Sequence, residues 1–161
     1  MLVELLAIVG VALAISFLCS ILEAVLLSVT HGYVHVLREK GTRAGRYLHR
    51  MRSRVDEPIA AILTLNTIAH TVGAAMGGAL ALEVFGSRWI ALFSIVLTFV
   101  ILVFSEILPK TIGATYWQGL APFAAWVLRA MILLMKPVLV PLSLLNRLIS
   151  PRRERQQPVR R

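Results

Sequence analysis

Residues 5–29 read LLAIVGVALAISFLCSILEAVLLSV, an apolar run in which Glu23 is the only charged residue. A helix needs about 20 apolar residues to cross the hydrocarbon core of a bilayer, so this run is long enough to span it. It lacks the positively charged start and the small-residue cleavage site of a signal peptide, so we expect a retained span over about residues 4–30. The chain is therefore predicted to be an integral membrane protein.

The composition of the whole chain favours lipid as its solvent. Of 161 residues, 58% are hydrophobic and only 16% are charged, against about half and a quarter in soluble domains. The net charge of +9 lies in blocks beside apolar runs and is not interleaved with aromatic residues, which argues against a nucleic-acid partner. The single cysteine, Cys19, lies inside the first apolar run, so no disulfide forms within one chain.

Two further apolar segments predict two further spans. One covers residues 58–82 and opens at Pro58, a residue favoured in the first turn of a helix. The other covers residues 89–108 and starts at Trp89, an aromatic residue typical of the membrane interface. The turn between them is short, so these two helices are expected to be antiparallel neighbours. The predicted fold is all-α, with three transmembrane helices.

The basic residues predict the orientation of these spans. Between spans two and three only Arg88 is basic, whereas the connection between spans one and two carries Arg38, Lys40, Arg43, Arg46, Arg50, Arg52 and Arg54. By the positive-inside rule, the N-terminus lies outside and the C-terminus is cytoplasmic. Residues 33–54 are then expected to form an amphipathic juxtamembrane helix, or helix pair, on the cytoplasmic side of the cell membrane.

A fourth apolar stretch, residues 120–148, contains both charged residues and prolines. Arg129 and Lys136 interrupt it, and prolines are expected to break its helical continuity at Pro122, Pro137 and Pro141. A crossing here would also export the basic tail. We therefore expect a broken juxtamembrane amphipathic belt, with a fourth crossing as the alternative. Residues 1–150 then form one membrane domain, and residues 151–161 read as a basic linker toward a cytosolic domain.

Polar side chains recur on one face of each span. Ser16, Ser20 and Glu23 share a helical stripe in span one, and Asn66 and His70 lie one turn apart in span two. Thr67 lies beside them in sequence. Ionisable residues inside a membrane are costly, so such stripes indicate a buried polar site. The alternative for His70 is a hydrogen bond that only holds two helices together.

Span three ends in Ser105 and Glu106, four residues before Lys110. Pro109 has no N–H, which is expected to end the helix and leave the carbonyl of Ser105 free as an oxygen ligand. Mg²⁺ prefers such hard oxygens, and Ser20, Asn66, Ser105 and Glu106 could supply them from three helices. The alternative is an ion pair between Glu106 and Lys110, although Lys110 could instead extend to the headgroups. Glu23 has no basic residue nearby in sequence.

Span two also contains a G-x-x-x-G pattern at Gly73 and Gly77, with Gly78 next to it. Small residues at this spacing let two membrane helices pack closely. The pattern does not tell whether the partner helix belongs to the same chain or to a second copy.

Three of these segments resemble motifs of the CNNM/CorC membrane domain. Residues 104–113, FSEILPKTIG, resemble its G-E-x-x-P-K signature, and residues 19–24, CSILEA, resemble its first-helix S-x-x-E-x-A motif. Leu65-Asn66-Thr67 resembles its second-helix motif built around asparagine. The resemblance covers about residues 1–145. Ser105 stands where the family commonly has glycine, and Thr67 and His70 stand where many bacterial relatives have asparagine.

The resemblance implies a homodimeric transporter of Mg²⁺, with Co²⁺ as a related substrate, that exports the ion by alternating access with Na⁺ as coupling ion. It also implies cytosolic CBS and CorC domains in longer relatives. By motif, Ser20, Asn66 and Glu106 would bind the transported ion, and Glu23 would be a second acidic site. Ser16, Thr67, His70 and Lys110 are candidates for supporting or coupling-ion roles.

Two other classes of protein are alternatives to a transporter. One is a membrane anchor or sensor, in which the polar stripes only hold the helices together. The other is an intramembrane enzyme with a serine nucleophile and His70 as base, which lacks a hydrolase motif or an obvious Ser–His pair. The sequence favours a transporter and not an enzyme.

Overall fold

The computed structural model describes the backbone of residues 1–149 and the side chains of residues 1–138. The predicted linker at residues 151–161 lies outside the described residues. The helices are α1 (Leu2–Ser28), α2 (His31–Glu39), α3 (Arg43–Ser53), α4 (Asp56–Phe85), α5 (Ile90–Val100), a π-helical segment (Ile101–Ile107), α6 (Leu108–Thr115) and α7 (Trp117–Ile149). The prediction of an all-α fold is confirmed.

Four helical rods are long and apolar enough to cross a membrane: Leu2–Ser28, Asp56–Phe85, Ile90–Thr115 and Trp117–Val138. The first three contain the three spans expected from the sequence. The fourth meets the criterion of length and composition as well, so the count of three crossings stays a prediction. Residues 33–54 form the helix pair α2 and α3, and each helix is capped by a threonine, Thr30 and Thr42.

The expected helix breaks at proline are wrong in two places. The rod beginning at Ile90 runs through Pro109, because the π-helical segment precedes it and Pro109 lies in the first turn of α6. Helix α7 likewise runs unbroken through Pro122, Pro137 and Pro141. Near Pro122, the Gln118 carbonyl accepts a hydrogen bond of 2.7 Å from the hydroxyl of Tyr33. This bond satisfies the carbonyl that the missing N–H of Pro122 leaves free.

Helix α1 is the centre of the molecule, because α4, the π-helical segment, α6 and α7 all pack against it. Its side chains at Cys19, Leu22, Val25 and Leu26 are fully buried. By contrast, no residue of α5 is buried among the described residues, and its exposed apolar side chains suit contact with lipid. Ser16 and Ser20 of the polar stripe are buried as well, so this stripe faces the neighbouring helices.

The glycine pattern of span two packs within the chain. A Cβ added at Gly73 would collide with Ala12, and one added at Gly77 would lie 3.1 Å from a methyl group of Val9. Both partners belong to α1, so these two glycines let α4 approach α1 closely. A Cβ at Gly78 would meet no described atom within 4 Å.

Gly113 has the same role for α6, and we expect Gly113→Ala to destabilise the protein. The added Cβ would lie 2.8 Å from both the Ile21 carbonyl oxygen and the Ala24 Cβ on α1. Overpacking of this kind costs about 1–3 kcal/mol, which a shift in thermal unfolding in detergent would reveal. Gly119→Ala is the matched control, because a Cβ there meets no described atom within 4 Å. Equal melting temperatures for the two variants would contradict the close contact.

Candidate cation site

The polar stripes of α1 and α4 meet through one serine. The Ser16 hydroxyl donates to Oδ1 of Asn66 at 2.7 Å and lies 2.6 Å from Nε2 of His70. A hydroxyl has only one proton to donate, so this geometry fits the His70 tautomer in which Nε2–H donates to Ser16. Ser16 is fully buried. The contacts hold the Asn66 amide in one orientation. They also form a Ser–His pair, so the expectation that such a pair is absent is wrong; Ser16 is buried and donates its proton to Asn66, which leaves His70 no proton to accept from it.

The amide of Asn66 connects this pair of helices to the acidic residue of the third rod. Its Nδ2 donates to Oε1 of Glu106 at 3.4 Å, a long hydrogen bond. The other oxygen of Glu106, Oε2, lies 3.0 Å from Nζ of Lys110, and Oε2 of Glu23 lies 3.4 Å from the same Nζ. Lys110 thus bridges a carboxylate of α1 and a carboxylate of the π-helical segment.

A second serine of α1 binds the irregular backbone. The Ser20 hydroxyl donates to the Ser105 carbonyl at 2.5 Å, so the carbonyl that Pro109 leaves free is satisfied from another helix. The Ser105 hydroxyl is fully buried and has no hydrogen-bond partner among the described residues. Single π-helical turns are frequent at functional sites, because they re-aim backbone and side-chain groups.

The charges of the cluster do not balance. Two carboxylates, Glu23 and Glu106, face one ammonium group, so the cluster has an excess of one negative charge. Glu23 is 22% exposed and Glu106 is 27% exposed, whereas Lys110 is 45% exposed. A net negative charge at a partly buried position attracts cations.

The structure brings together all but one of the candidate residues from the sequence. They form the polar cluster, consisting of Ser16, Ser20, Glu23, Asn66, His70, Ser105, Glu106 and Lys110. The exception is Thr67, which lies on the exposed face of α4. In span three, Ser94 and Thr98 donate to the carbonyls four residues earlier, a local role typical of membrane helices.

The link between Lys110 and Glu23 was missed by the sequence reasoning, which found no basic partner for Glu23. These residues are far apart in the chain and meet because α6 packs closely on α1. The available signal was the small pair Ala24 and Gly113, each within one turn of the charged residues, which allows that approach.

The donors of the cluster suit a hard cation. In the part of the chain that the structure describes, no three His, Cys, Asp or Glu side chains group together as a metal site. The oxygens come instead from two carboxylates, one amide, serine hydroxyls and a backbone carbonyl, the groups that Mg²⁺ and Ca²⁺ prefer. A cavity of about 10 Å³ borders His70, but its other neighbours are apolar and neither carboxylate lines it.

The fold and the site define a class: a multi-helix membrane protein with a charged cluster between its apolar helices. Comparison with known families is more specific. Residues 6–160 match the model of the cyclin M (CNNM) transmembrane N-terminal domain, and the chain belongs to this family. The resemblance drawn from the three motifs is confirmed.

Three bacterial relatives support the assignment. The chain is 36% identical over 135 residues to UPF0053 protein sll1254 of Synechocystis, covering 84% of this chain and 39% of that protein. It is 29% identical over 113 residues to the UPF0053 inner membrane protein YfjD of Escherichia coli, covering 70% of this chain and 26% of the relative. It is 27% identical over 116 residues to a UPF0053 protein of Haemophilus influenzae, covering 72% and 28%. The chain thus matches well under half of each relative's length.

Proposed function

We propose that this chain is the membrane domain of a divalent-cation transporter and that the polar cluster binds the transported ion, Mg²⁺ by preference. The family is associated with divalent-cation transport. The observation that carries the proposal for this chain is the convergence of Ser20, Asn66 and Glu106 from three helical rods, beside the backbone carbonyl of Ser105.

The charge of the cluster favours a divalent ion. If Lys110 moves away toward the headgroups, Glu23 and Glu106 have two negative charges to neutralise, and one divalent cation does so. Lys110 then acts as an internal competitor for the site. Its exposure of 45% is compatible with such a movement.

Binding also requires the amide of Asn66 to turn. Here Asn66 points its N–H toward Glu106 and its oxygen toward Ser16. A half-turn of the amide would bring Oδ1 toward Glu106 and leave Nδ2 as a donor to Ser16, whose hydroxyl is free to rotate. The small cavity beside His70 has apolar neighbours and is not lined by Glu23 or Glu106, so it is not the proposed ion site. Alternating access is proposed from the family resemblance.

The finer features of the proposal follow from the family resemblance. The direction is export with Na⁺ as coupling ion, for which Glu23, Ser16 and His70 are the nearest candidates; Co²⁺ is a further substrate. The protein works as a homodimer in the cytoplasmic membrane, with its N-terminus outside and its C-terminus inside. Longer relatives would add cytosolic CBS and CorC domains. Thr67 lies on the exposed face of α4, apart from the polar cluster, so we do not include it in the proposed site.

The second candidate is a membrane anchor or sensor without transport of its own. One observation favours it: Lys110 pairs with both carboxylates, which is also what a purely structural ion-pair network would look like. The two functions differ in how the protein responds to Mg²⁺ and to changes in the polar cluster.

Asn66→Ala tests the transporter directly. We expect Mg²⁺ flux in proteoliposomes to fall by about 10-fold or more, because loss of groups that support a metal site costs about 10- to 100-fold in affinity. Thr67→Ala is the matched control, since Thr67 is the next residue of α4 but lies on its exposed face. Wild-type flux in a folded Asn66→Ala protein would exclude the proposed site.

A further inference from the structure

A second polar cavity lies away from the polar cluster, at the end of the molecule where α4 begins. It measures about 620 Å³, within the range of about 300–1,000 Å³ typical of small-molecule sites. Helix α3, the first turn of α4 and the middle of α7 form its walls. Nothing in the proposed transport of a cation uses this cavity.

The cavity is strongly basic. Four of its lining side chains are cationic, Arg50, Arg54, Arg129 and Lys136, against the single carboxylate of Glu57. None of the four basic side chains makes an ion pair within the described part of the chain. Four cations without an ion-pair partner repel one another, so an anion bound between them would be stabilising.

Aromatic contacts fix one of these cations in place. The guanidinium of Arg129 lies 4.3 Å from the ring centroid of Tyr47, and Tyr47 packs edge-to-face on Trp126 at 5.3 Å. Tyr and Trp concentrate at the level of the lipid headgroups, and the first turn of a long apolar helix such as α4 lies at the same level. Both features indicate that the cavity lies at the level of the membrane–water interface.

An apolar wall completes the cavity. Ile132 and Leu133 lie on α7 between the two cationic residues of that helix, and Leu133 is 64% exposed. A ligand here meets cations at one end and an open apolar helix face at the other. That combination matches a phospholipid, with its phosphate among the cations and an acyl chain along α7.

We propose that this cavity binds one anionic phospholipid, with the headgroup phosphate held by Arg50, Arg54, Arg129 and Lys136. This inference is independent of the polar cluster and of the transported ion. The bound lipid would connect α3, α7 and the start of α4. The described side chains make few polar contacts between these three elements at this end of the molecule.

Binding of phosphatidylglycerol to the purified protein, measured by native mass spectrometry from detergent micelles, tests the site. The double variant Arg50→Gln/Arg129→Gln is expected to lose about 30-fold in affinity for this lipid. Because Arg129 also packs on Tyr47, a second pair, Arg54→Gln/Lys136→Gln, removes the same charge without that contact. Circular dichroism checks that each variant is folded.

The matched control is Arg43→Gln/Arg46→Gln, which removes equal charge from α3 outside the cavity and should retain lipid binding. Phosphatidylcholine, a neutral lipid, should bind weakly to every protein. Equal losses in the control and cavity variants would overturn the proposal in favour of general surface charge. Displacement of the lipid by millimolar inorganic phosphate would overturn it in favour of a free-phosphate site. Undiminished binding in both cavity pairs would overturn it outright.

Discussion

Glu106→Gln is expected to abolish Mg²⁺ transport while leaving the protein folded. Glu106 is the residue where the amide of Asn66 and the ammonium of Lys110 meet, and glutamine keeps its shape but removes its charge. Removing a residue that only hydrogen-bonds to a metal ligand already lowers metal affinity by about 10- to 100-fold. Removing the charge of the ligand itself should therefore lower Mg²⁺ affinity by at least about 100-fold. Mg²⁺ flux into proteoliposomes and isothermal titration measure the effect.

Glu83→Gln is the control for charge, because Glu83 is an exposed residue near the end of α4. It should leave flux and affinity at the wild-type level. Transport that persists in Glu106→Gln at ordinary Mg²⁺ concentrations would contradict the proposed role of this carboxylate.

Lys110→Gln is expected to make the stability of the protein depend on Mg²⁺. Without the ammonium group, Glu23 and Glu106 repel each other in a partly buried cluster. Removal of one partner from a buried ion pair costs about 3–5 kcal/mol, and the partial exposure of Lys110 reduces this to about 1–2 kcal/mol. Millimolar Mg²⁺ should restore the loss and should bind more tightly than in the wild type, because the internal competitor is absent.

Thermal unfolding with and without Mg²⁺ measures this effect, with choline chloride at equal ionic strength to exclude general screening. Lys40→Gln is the matched control, since Lys40 is an exposed lysine between α2 and α3. For a membrane anchor, Lys110→Gln should be destabilised in the same way but should not recover with Mg²⁺. The same experiment therefore separates the two candidate functions.

Much of the candidate site could be predicted from the sequence because helical spacing is regular. Residues at positions i, i+4 and i+7 share a face, and this rule alone places Ser16, Ser20 and Glu23 together on α1. An unpaired polar side chain inside a membrane is unfavourable, so each of these three residues is expected to have a polar partner. The same spacing places Asn66 and His70 on one face of α4.

The effect of the prolines could not be predicted in this way. A proline removes a hydrogen bond from its own helix, and whether the helix ends depends on what satisfies the freed carbonyl. At Pro109 and Pro122 that partner is a hydroxyl from a distant helix, Ser20 and Tyr33 respectively. The sequence carries no local signal for either contact.

The sequence by itself determined that this chain is an all-α membrane protein. It also determined where the first three apolar helices lie and which oxygen-bearing residues those helices carry. These properties depend on the length, composition and periodicity of short segments, which lipid as a solvent constrains strongly. Only the tertiary structure decided that Lys110 bridges Glu23 and Glu106, that Ser20 binds the Ser105 carbonyl, and that Arg129 joins a basic cavity. These contacts join residues far apart in the chain, so no local pattern predicts them. Small residues such as Gly113 permit close packing against α1, and this packing sets the distances between the charges of the polar cluster.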